Sequence, residues 1–284
     1  MTDEEVEVVA RGDDLGDRMK RYEAVEDRRF DGHLPIYARI DGRAFSRFTR
    51  GMERPFDRDM SGAMVATAKA LVEKTHARIG YTQSDEISLV WLQEDEESQV
   101  FFDGRVQKLC SVLAGLATAA FTQAVIGSDR LRPYADRLPH FDCRVMQLPS
   151  ISEAANMFLW RELDATKNAV QMAAQALYSP KQLHGKNQKD QRAMIAAAGV
   201  DFESYPAFFK RGTFVRRETF DRPFTVDELA RIPEAHRPPS DTLVTRSEVR
   251  ELDMPPLLSV ANREAVIFAR AAIVALDAFR KERA

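Results

Sequence analysis

The feature that most constrains the fold is a change of hydrophobic period along residues 36–148. The segment LPIYARI has the β-branched and aromatic residues of a strand, and ARIGYTQSDEISLVWL has those of two strands around a polar turn. Residues 59–76 and 105–126 carry apolar residues at helical spacing, and HFDCRVMQL is again strand-like. The order βαββαβ predicts an α/β (α+β) fold, with a ferredoxin-like, polymerase-palm core built on an antiparallel sheet.

The remaining sequence divides around this core. Residues 1–14 read as an acidic N-terminal tail, and residues 15–150 as the palm-like catalytic core. Residues 151–217 read as a helical and basic part packed on the core. Residues 218–284 are predicted to be a C-terminal extension that ends in an amphipathic helix over 262–283.

Charge and cysteine content restrict the class of protein. The formal charge is −3, from 41 basic and 44 acidic residues, so nucleic-acid binding would depend on a local basic patch. Residues 181–217 offer one, with eight Lys or Arg against three acids. The separated Cys110 and Cys143 form no disulfide or zinc pattern, which suits a reducing cytoplasm. No apolar run approaches the roughly 20 residues that span a bilayer, so we expect no membrane partner.

Two acidic turns contain the candidate catalytic residues. Asp41-Gly42 ends the first predicted strand, and Asp85-Glu86 lies in the turn between the next two. Each turn alone is common, because these residue types dominate turns for local reasons. Together, on strands that neighbour each other in a palm, the carboxylates could share metal ions, and oxygen ligands favour Mg²⁺. Gly42 has no Cβ, so its backbone could approach a triphosphate or a metal.

The two motifs resemble a known family. RIDGRAFSRFT with YTQSDEISLVW, followed by FDCRVMQLPS, FLWRELDATKN and FFKRGTFV, is similar to the tRNA-histidine guanylyltransferase family, including its Thg1-like branch of 3′-to-5′ polymerases. The resemblance implies a nucleotidyltransferase that adds nucleotides to the 5′ end of tRNA. It also implies two Mg²⁺ ions, with ATP and GTP as substrates that activate and extend a 5′-monophosphate.

The same resemblance implies roles for individual residues. Asp41 and Asp85 bind both metals with the Gly42 carbonyl, and Glu86 supports catalysis beside them. The expected nucleotide-binding residues are Gly42, Arg43, Ala44, Phe45, Ser84 and Lys108. The expected tRNA-binding residues are Lys186, Lys189, Arg192, Lys210 and Arg211.

One departure from the family pattern bears on the substrate. The eukaryotic-type enzymes carry His-Ile-Asn-Asn where this sequence has Thr166, Lys167, Asn168 and Ala169. The departure favours the Thg1-like branch, which repairs truncated tRNA 5′ ends, over strict tRNA-His guanylylation. The family also implies a homo-oligomer, a tetramer built as a dimer of dimers.

Two alternatives remain at this stage. A palm-type core could act on free NTP as a nucleotide cyclase-like enzyme, or the chain could be a non-catalytic RNA-binding module. The intact acidic pair speaks against the second alternative, because a protein that only binds RNA needs no carboxylates beside phosphates.

Overall fold

The computed structural model describes residues 12–93, 98–239 and 241–276. The predicted acidic tail therefore lies mostly outside the described residues, and helix α1 already begins at Gly12. In chain order the first elements are α1 (Gly12–Val25), β1 (Ile36–Gly42), α2 (Phe45–Phe48), α3 (Arg58–Thr75), β2 (Ile79–Gln83), β3 (Glu86–Trp91), α4 (Val106–Gly127) and β4 (Phe141–Gln147). Apart from the short α2, the order from β1 to β4 is the predicted βαββαβ.

The second half of the chain adds helices and a long hairpin. Its elements are α5 (Ile151–Leu177), α6 (Pro180–Leu183), α7 (Gln188–Ala197), α8 (Ala207–Arg211), β5 (Thr213–Pro223), α9 (Val226–Ala230), β6 (Leu243–Leu252) and α10 (Arg263–Phe268). The hairpin of β5 and β6 was not predicted, because its polar residues do not alternate with apolar ones.

All six strands form one sheet in the order β4-β1-β3-β2-β5-β6, and every neighbouring pair is antiparallel. The register places Asp41 of β1 opposite Glu86 of β3 on one side and opposite Asp142 of β4 on the other. The predicted antiparallel palm core is confirmed, and it concentrates acidic residues at one end of the sheet.

The two faces of the sheet are covered differently. One face packs against α3 and α4 through a core that includes Ile40, Leu89, Leu113 and Phe121. The other face packs against the first half of α5 and against the C-terminal segment 254–268, whose Leu257 and Ile267 are buried. The described part of the C-terminal extension therefore covers the palm.

Helix α4 corrects the expectation about apolar runs. By length and composition alone it could cross a membrane, with 28% of its most apolar window buried inside the chain. Its buried residues repeat every four positions and pack on the sheet: Leu109, Leu113, Ala117, Phe121 and Val125. These positions are core contacts of the palm.

Two predicted boundaries are wrong. Strand β5 runs through position 217, so no domain boundary falls there. Of the helix predicted over 262–283, the structure shows the six-residue α10, Arg263–Phe268. Residues 277–284 are outside the described residues. The helix ends at Phe268 because Arg270 takes the left-handed conformation and the chain turns back. Ala275 then pairs with Val260, just before the helix. The Asn262 side chain holds this return, donating to the Ala272 carbonyl at 2.8 Å and accepting from the Val274 amide at 2.9 Å.

Candidate active site

The structure brings the two predicted metal-binding carboxylates to the same end of the sheet. Asp41 is the penultimate residue of β1, and Asp85 lies with Ser84 in the two-residue turn between β2 and β3. The backbone joins them, because the Gly42 amide donates to the Asp85 carbonyl at 2.9 Å. Burial, and then the charge of Asp41, raise the pKa of Asp85 to about 6, while a hydrogen bond from the Ser84 side chain opposes the rise.

This pair suits a hard divalent cation. Its donors are carboxylate oxygens, which Mg²⁺ prefers, and their mutual repulsion is what a bound cation would remove. The Gly42 carbonyl lies on the same backbone as Asp41. The described residues contain no group of three or more His, Cys, Asp or Glu placed to hold a metal, so the protein's own ligands would be few. Mg²⁺ tolerates such a site, because it retains waters and takes further ligands from substrate phosphates.

Glu86 is held away from this pair by an arginine that the sequence interpretation missed. Arg161 of α5 donates from Nε to Glu86 Oε1 at 2.6 Å and from Nη2 to Oε2 at 2.7 Å. Both side chains are buried, at 7% and 6% exposure. Burial raises the pKa of Glu86, and the hydrogen bonds from Arg161 counter that rise. Glu86 is therefore an anchor for the turn that carries Asp85, and both of its oxygens are already engaged.

The ion pair continues along α5. Arg161 Nη2 also contacts Asp164 at 3.1 Å, and Asp164 accepts from the Asn168 amide at 3.3 Å. Asn168 lies in the segment that replaces the family's His-Ile-Asn-Asn. A signal for Arg161 existed in the sequence, because Arg161 and Glu162 fall between the buried Phe158 and Ala165 on the buried side of α5. A charged residue on such a stripe needs a buried partner.

A cavity of about 380 Å³ opens beside Asp85. Its wall includes the Ser84-Asp85 turn, α2, the start of α3, the middle of α5 and α8. Aromatic, thioether and amide side chains line it (Phe56, Phe208, Met60, Met172, Asn168 and Gln175), together with the charged Glu53, Arg54 and Asp57. Polar and apolar groups line it in similar amounts, and a cavity of this size next to paired carboxylates has the character of a small-molecule site.

The predicted backbone cradle at residues 42–45 is only partly available. The Gly42 amide is donated to Asp85, and the Arg43 amide is donated to the His140 carbonyl at 2.9 Å. The amides of Ala44 and Phe45 remain, with Ala44 in the left-handed conformation at φ 54°. The Phe45 ring lies in the core against Phe121 and Phe141, with ring centroids 5.4 and 5.0 Å away. It lines the cavity wall and cannot swing out to stack on a base.

Gly42 is required for close packing as well as for any role at a metal. A Cβ at this position would overlap the ring of Phe45. We expect Gly42→Ala to lower the free energy of unfolding by about 1–3 kcal/mol, because the ring cannot retreat into a filled core. Urea denaturation measures the change. Gly62→Ala on α3 is the matched control, because its Cβ meets nothing within 4 Å. A Gly42→Ala protein as stable as the unmodified chain would contradict this packing argument.

Within one chain, Lys108 lies too far from Asp41 to belong to this site, contrary to the prediction. It lies in the first turn of α4, its Nζ 5.7 Å from the ring of Phe102. Helix α4 begins near the start of β1, since Trp91, which pairs with Ile36, stacks on Phe101 shortly before the helix, with ring centroids 6.4 Å apart. Asp41 lies at the other end of β1, about 17 Å along the strand, which is beyond the reach of a lysine side chain.

The predicted tRNA-binding residues fall into two groups. Lys186 and Lys189 are exposed and make no ion pair within the described residues. The other three are used inside the fold. Arg192 and Lys210 both pair with Glu203, at 3.3 and 3.1 Å. Arg211 lies 3.7 Å from the buried Glu162. With Arg216 and Arg217, five of the eight basic side chains of residues 181–217 therefore already have a carboxylate partner in the fold.

Comparison with known proteins gives a consistent result. The sequence profile of a family described as "Thg1: tRNAHis guanylyltransferase" matches residues 16–149. A bacterial tRNA(His) guanylyltransferase-like protein in complex with ATP is similar in structure, with a TM-score of 0.67, 36% identity, and coverage of 71% of this chain and 88% of the other. A bacterial tRNA(His) guanylyltransferase-like structure in complex with GTP gives a TM-score of 0.67 at 30% identity, covering 86% and 94%.

A sequence relative supports the same assignment. The tRNA(His) guanylyltransferase of Neurospora crassa is 28% identical over 209 residues, which cover 66% of this chain and 69% of the relative. The matched residues include β1 and the β2–β3 hairpin, which carry Asp41 and Asp85. The chain therefore belongs to the tRNA(His) guanylyltransferase family and is a nucleotidyltransferase, as its two acidic motifs predict.

Proposed function

We propose that the chain adds nucleotides to the 5′ end of a tRNA in the 3′-to-5′ direction, with repair of truncated 5′ ends as its reaction. The observation that carries the proposal is the pairing of Asp41 with Asp85, and Asp85 lines a cavity of nucleoside size. The relatives that bind ATP and GTP support NTPs as the substrates of this site.

The reaction proceeds in two displacements at phosphorus. The 5′-phosphate oxygen of the RNA first attacks the α-phosphorus of ATP and releases pyrophosphate, leaving an adenylylated 5′ end. The 3′-hydroxyl of the incoming NTP then attacks the 5′-phosphorus, forms the new phosphodiester bond and releases AMP. Both displacements build negative charge on the phosphate oxygens, so catalysis depends on positioning and on charge stabilisation.

The residues of this chain have separate parts in that chemistry. Asp41, Asp85 and the Gly42 carbonyl would hold two Mg²⁺ ions, which would supply charge to activate the attacking oxygen and stabilise the leaving phosphate. Ser84 orients Asp85 through its hydrogen bond, and Arg161 fixes the turn through Glu86. The cavity holds the nucleoside between Phe56, Phe208 and α5, where the amide of Asn168 can contact the base.

The surroundings of the reaction are also proposals. Exposed Lys186 and Lys189 supply charge for the tRNA backbone. A cytoplasmic location is supported by the free thiols of Cys110 and Cys143. A homo-oligomer, with four subunits as in the family, is supported by apolar side chains of α1 that are exposed in the single chain, such as Val25 at 80%.

Nucleotide addition can be tested directly. The substrates are tRNAs with a 5′-monophosphate, one of full length and one lacking its first nucleotide, with each labelled NTP in turn. We expect Mg²⁺-dependent lengthening of the truncated tRNA, read on a denaturing gel, because the paired carboxylates need a divalent cation to hold phosphates. Omission of Mg²⁺ or of the 5′-phosphate serves as the control.

Other products would identify other functions. A labelled product formed from NTP without RNA would support the cyclase-like alternative. Tight tRNA binding that is independent of Mg²⁺, with no incorporation of any NTP, would support a binding module and contradict the proposal.

A further inference from the structure

A second cavity lies behind helix α8, which forms part of the wall of the cavity beside Asp85, the NTP cavity. The second cavity has a volume of about 240 Å³, and its lining includes Glu162 of α5, Arg211 of α8 and Met254 of the C-terminal segment. Phe208 lines both cavities, so this part of α8 lies between them. A ring with open space on both sides is not held in place by packing alone.

One side of α8 is fixed in the core. Phe209 is buried at 9% exposure, in a cluster with Ala169 and Val170 of α5. Phe208, the preceding residue, is half-buried, and its ring meets Phe56 edge to face, with ring centroids 5.2 Å apart. Because both of these rings line the NTP cavity, the position of Phe208 affects the space left for a nucleoside.

The C-terminal end of α8 is held by Arg211. Its guanidinium donates to the Met254 carbonyl at 3.2 Å and lies 3.7 Å from Glu162 Oε1. Its own carbonyl accepts from the Tyr81 hydroxyl at 2.8 Å. The end of α8 is therefore tied to α5, to β2 and to the C-terminal segment.

Glu162 joins Arg211 to the C-terminal segment. The Glu162 side chain is buried at 3% exposure, and its Oε2 accepts from the Leu257 amide at 2.8 Å. Burial raises the pKa of Glu162, and the hydrogen bond from Leu257 and the charge of Arg211 oppose that rise. A movement of α8 that took Arg211 away would leave a buried carboxylate with less support, so the pair resists such a movement.

We propose that Glu162 is a positioning residue for NTP binding, which acts through Arg211 to hold α8 and Phe208 where the nucleoside fits. This inference rests on the proposed function, because it assigns the cavity beside Asp85 to an NTP. It also gives the C-terminal segment a part in substrate binding, since Leu257 supports Glu162 from outside the wall of the NTP cavity. By thermodynamic linkage, a bound NTP then stabilises the contact between Glu162 and Leu257.

Hydrogen exchange tests this linkage without any reaction. ATP with Mg²⁺ should slow exchange of the Leu257 amide in the unmodified protein about fivefold, measured by NMR. The Val266 amide donates to the Asn262 carbonyl at the start of α10 and is the internal control, which should not respond. A residue with only a structural role would give no response to ATP at Leu257.

Glu162→Gln removes the charge that faces Arg211 and keeps an oxygen that can accept from Leu257. We expect it to raise the Kd and the KM for ATP about fivefold and to abolish the protection of Leu257 by ATP. The KM for the RNA, and kcat at saturating NTP, should not change. Glu251→Gln is the matched control, because Glu251 lines the same second cavity but pairs with Lys69 at 2.8 Å. It should behave as the unmodified protein.

The outcomes distinguish this inference from the proposed function. An unmodified protein that adds no nucleotide to any RNA refutes the proposed function. Bound ATP that leaves exchange at Leu257 unchanged, or a Glu162→Gln variant with an unchanged Kd for ATP, refutes the positioning role alone. An equal rise of KM for ATP and for the RNA shows a general loosening of the fold and also refutes it. If Glu162→Gln does not fold, the exchange measurement on the unmodified protein decides.

Discussion

Replacement of Asp85 by Asn is expected to lower the rate of nucleotide addition by about a thousandfold or more while making the folded protein more stable at neutral pH. The amide keeps the shape of the carboxylate but removes the charge that a divalent cation needs. Burial and the charge of Asp41 raise the pKa of Asp85 from 3.8 to about 6. At pH 7.5 the ionised Asp85 is therefore a cost to the fold, and the variant removes it.

The sign of the pH dependence follows from proton binding. Between pH 3.8 and about 6 the folded state binds more protons at Asp85 than the unfolded state does, so this group's contribution to stability is lost as the pH rises through that window. Because Asp85 is partly exposed, we expect a gain for Asp85→Asn of about 1–2 kcal/mol at pH 7.5. The gain should vanish below pH 3.8. Urea denaturation in EDTA at both pH values measures it.

Asp142→Asn is the matched control for this experiment. Asp142 lies opposite Asp41 on the neighbouring strand and is well exposed, so its loss should change stability little. Added Mg²⁺ should stabilise the unmodified protein and Asp142→Asn but not Asp85→Asn, because the proposed metal site needs both Asp41 and Asp85 to bind the ion in the folded state. An active Asp85→Asn variant would contradict the assignment of the site.

The central part of the fold was predictable because local patterns and topology agree there. Residues 36–148 switch cleanly between the periods of strands and helices, and a palm order places β1 next to β3. That adjacency is what brings Asp41 to Asp85. The β5–β6 hairpin could not be predicted from the sequence, because it is polar on both faces beyond Val215, where β5 no longer pairs with β2.

The prediction for Lys108 is wrong because of the direction of the chain in the sheet, and the order of the predicted strands already indicated that direction. Strand β3 begins at Glu86, so the chain leaves it at Trp91, at the end of the sheet remote from Asp41. A helix that follows β3 must start at that remote end, and Lys108 lies in its first turn. The family resemblance supplied a residue type, but the direction of the chain decides where that residue lies. Arg161 shows the reverse: it lies far from both acidic motifs in the sequence, but the fold brings it into contact with Glu86.

Arg161→Met is expected to cause the largest loss of stability, about 3–5 kcal/mol, because it leaves the charge of Glu86 buried with only its longer contact to Arg39, at 3.7 Å. Burial already raises the pKa of Glu86, and without the Arg161 hydrogen bonds the rise would be larger. The loss should therefore increase as the pH rises, since more of Glu86 is ionised in the unfolded state. Urea denaturation at pH 5 and pH 8 measures both the size and the trend.

The double variant Arg161→Met/Glu86→Gln distinguishes an anchor from a participant in the chemistry. Removing both charges should restore most of the stability, because the closest buried ion pair is removed as a whole and only the partly exposed Arg39 loses its carboxylate partner. If Glu86 acts only by fixing the turn of Asp85, the refolded double variant should also regain measurable nucleotide addition, well above that of Asp85→Asn. A double variant that is stable but as inactive as Asp85→Asn would show that the Glu86 carboxylate takes part in the reaction itself. The geometry predicts the first result, because both oxygens of the buried Glu86 already accept hydrogen bonds from Arg161.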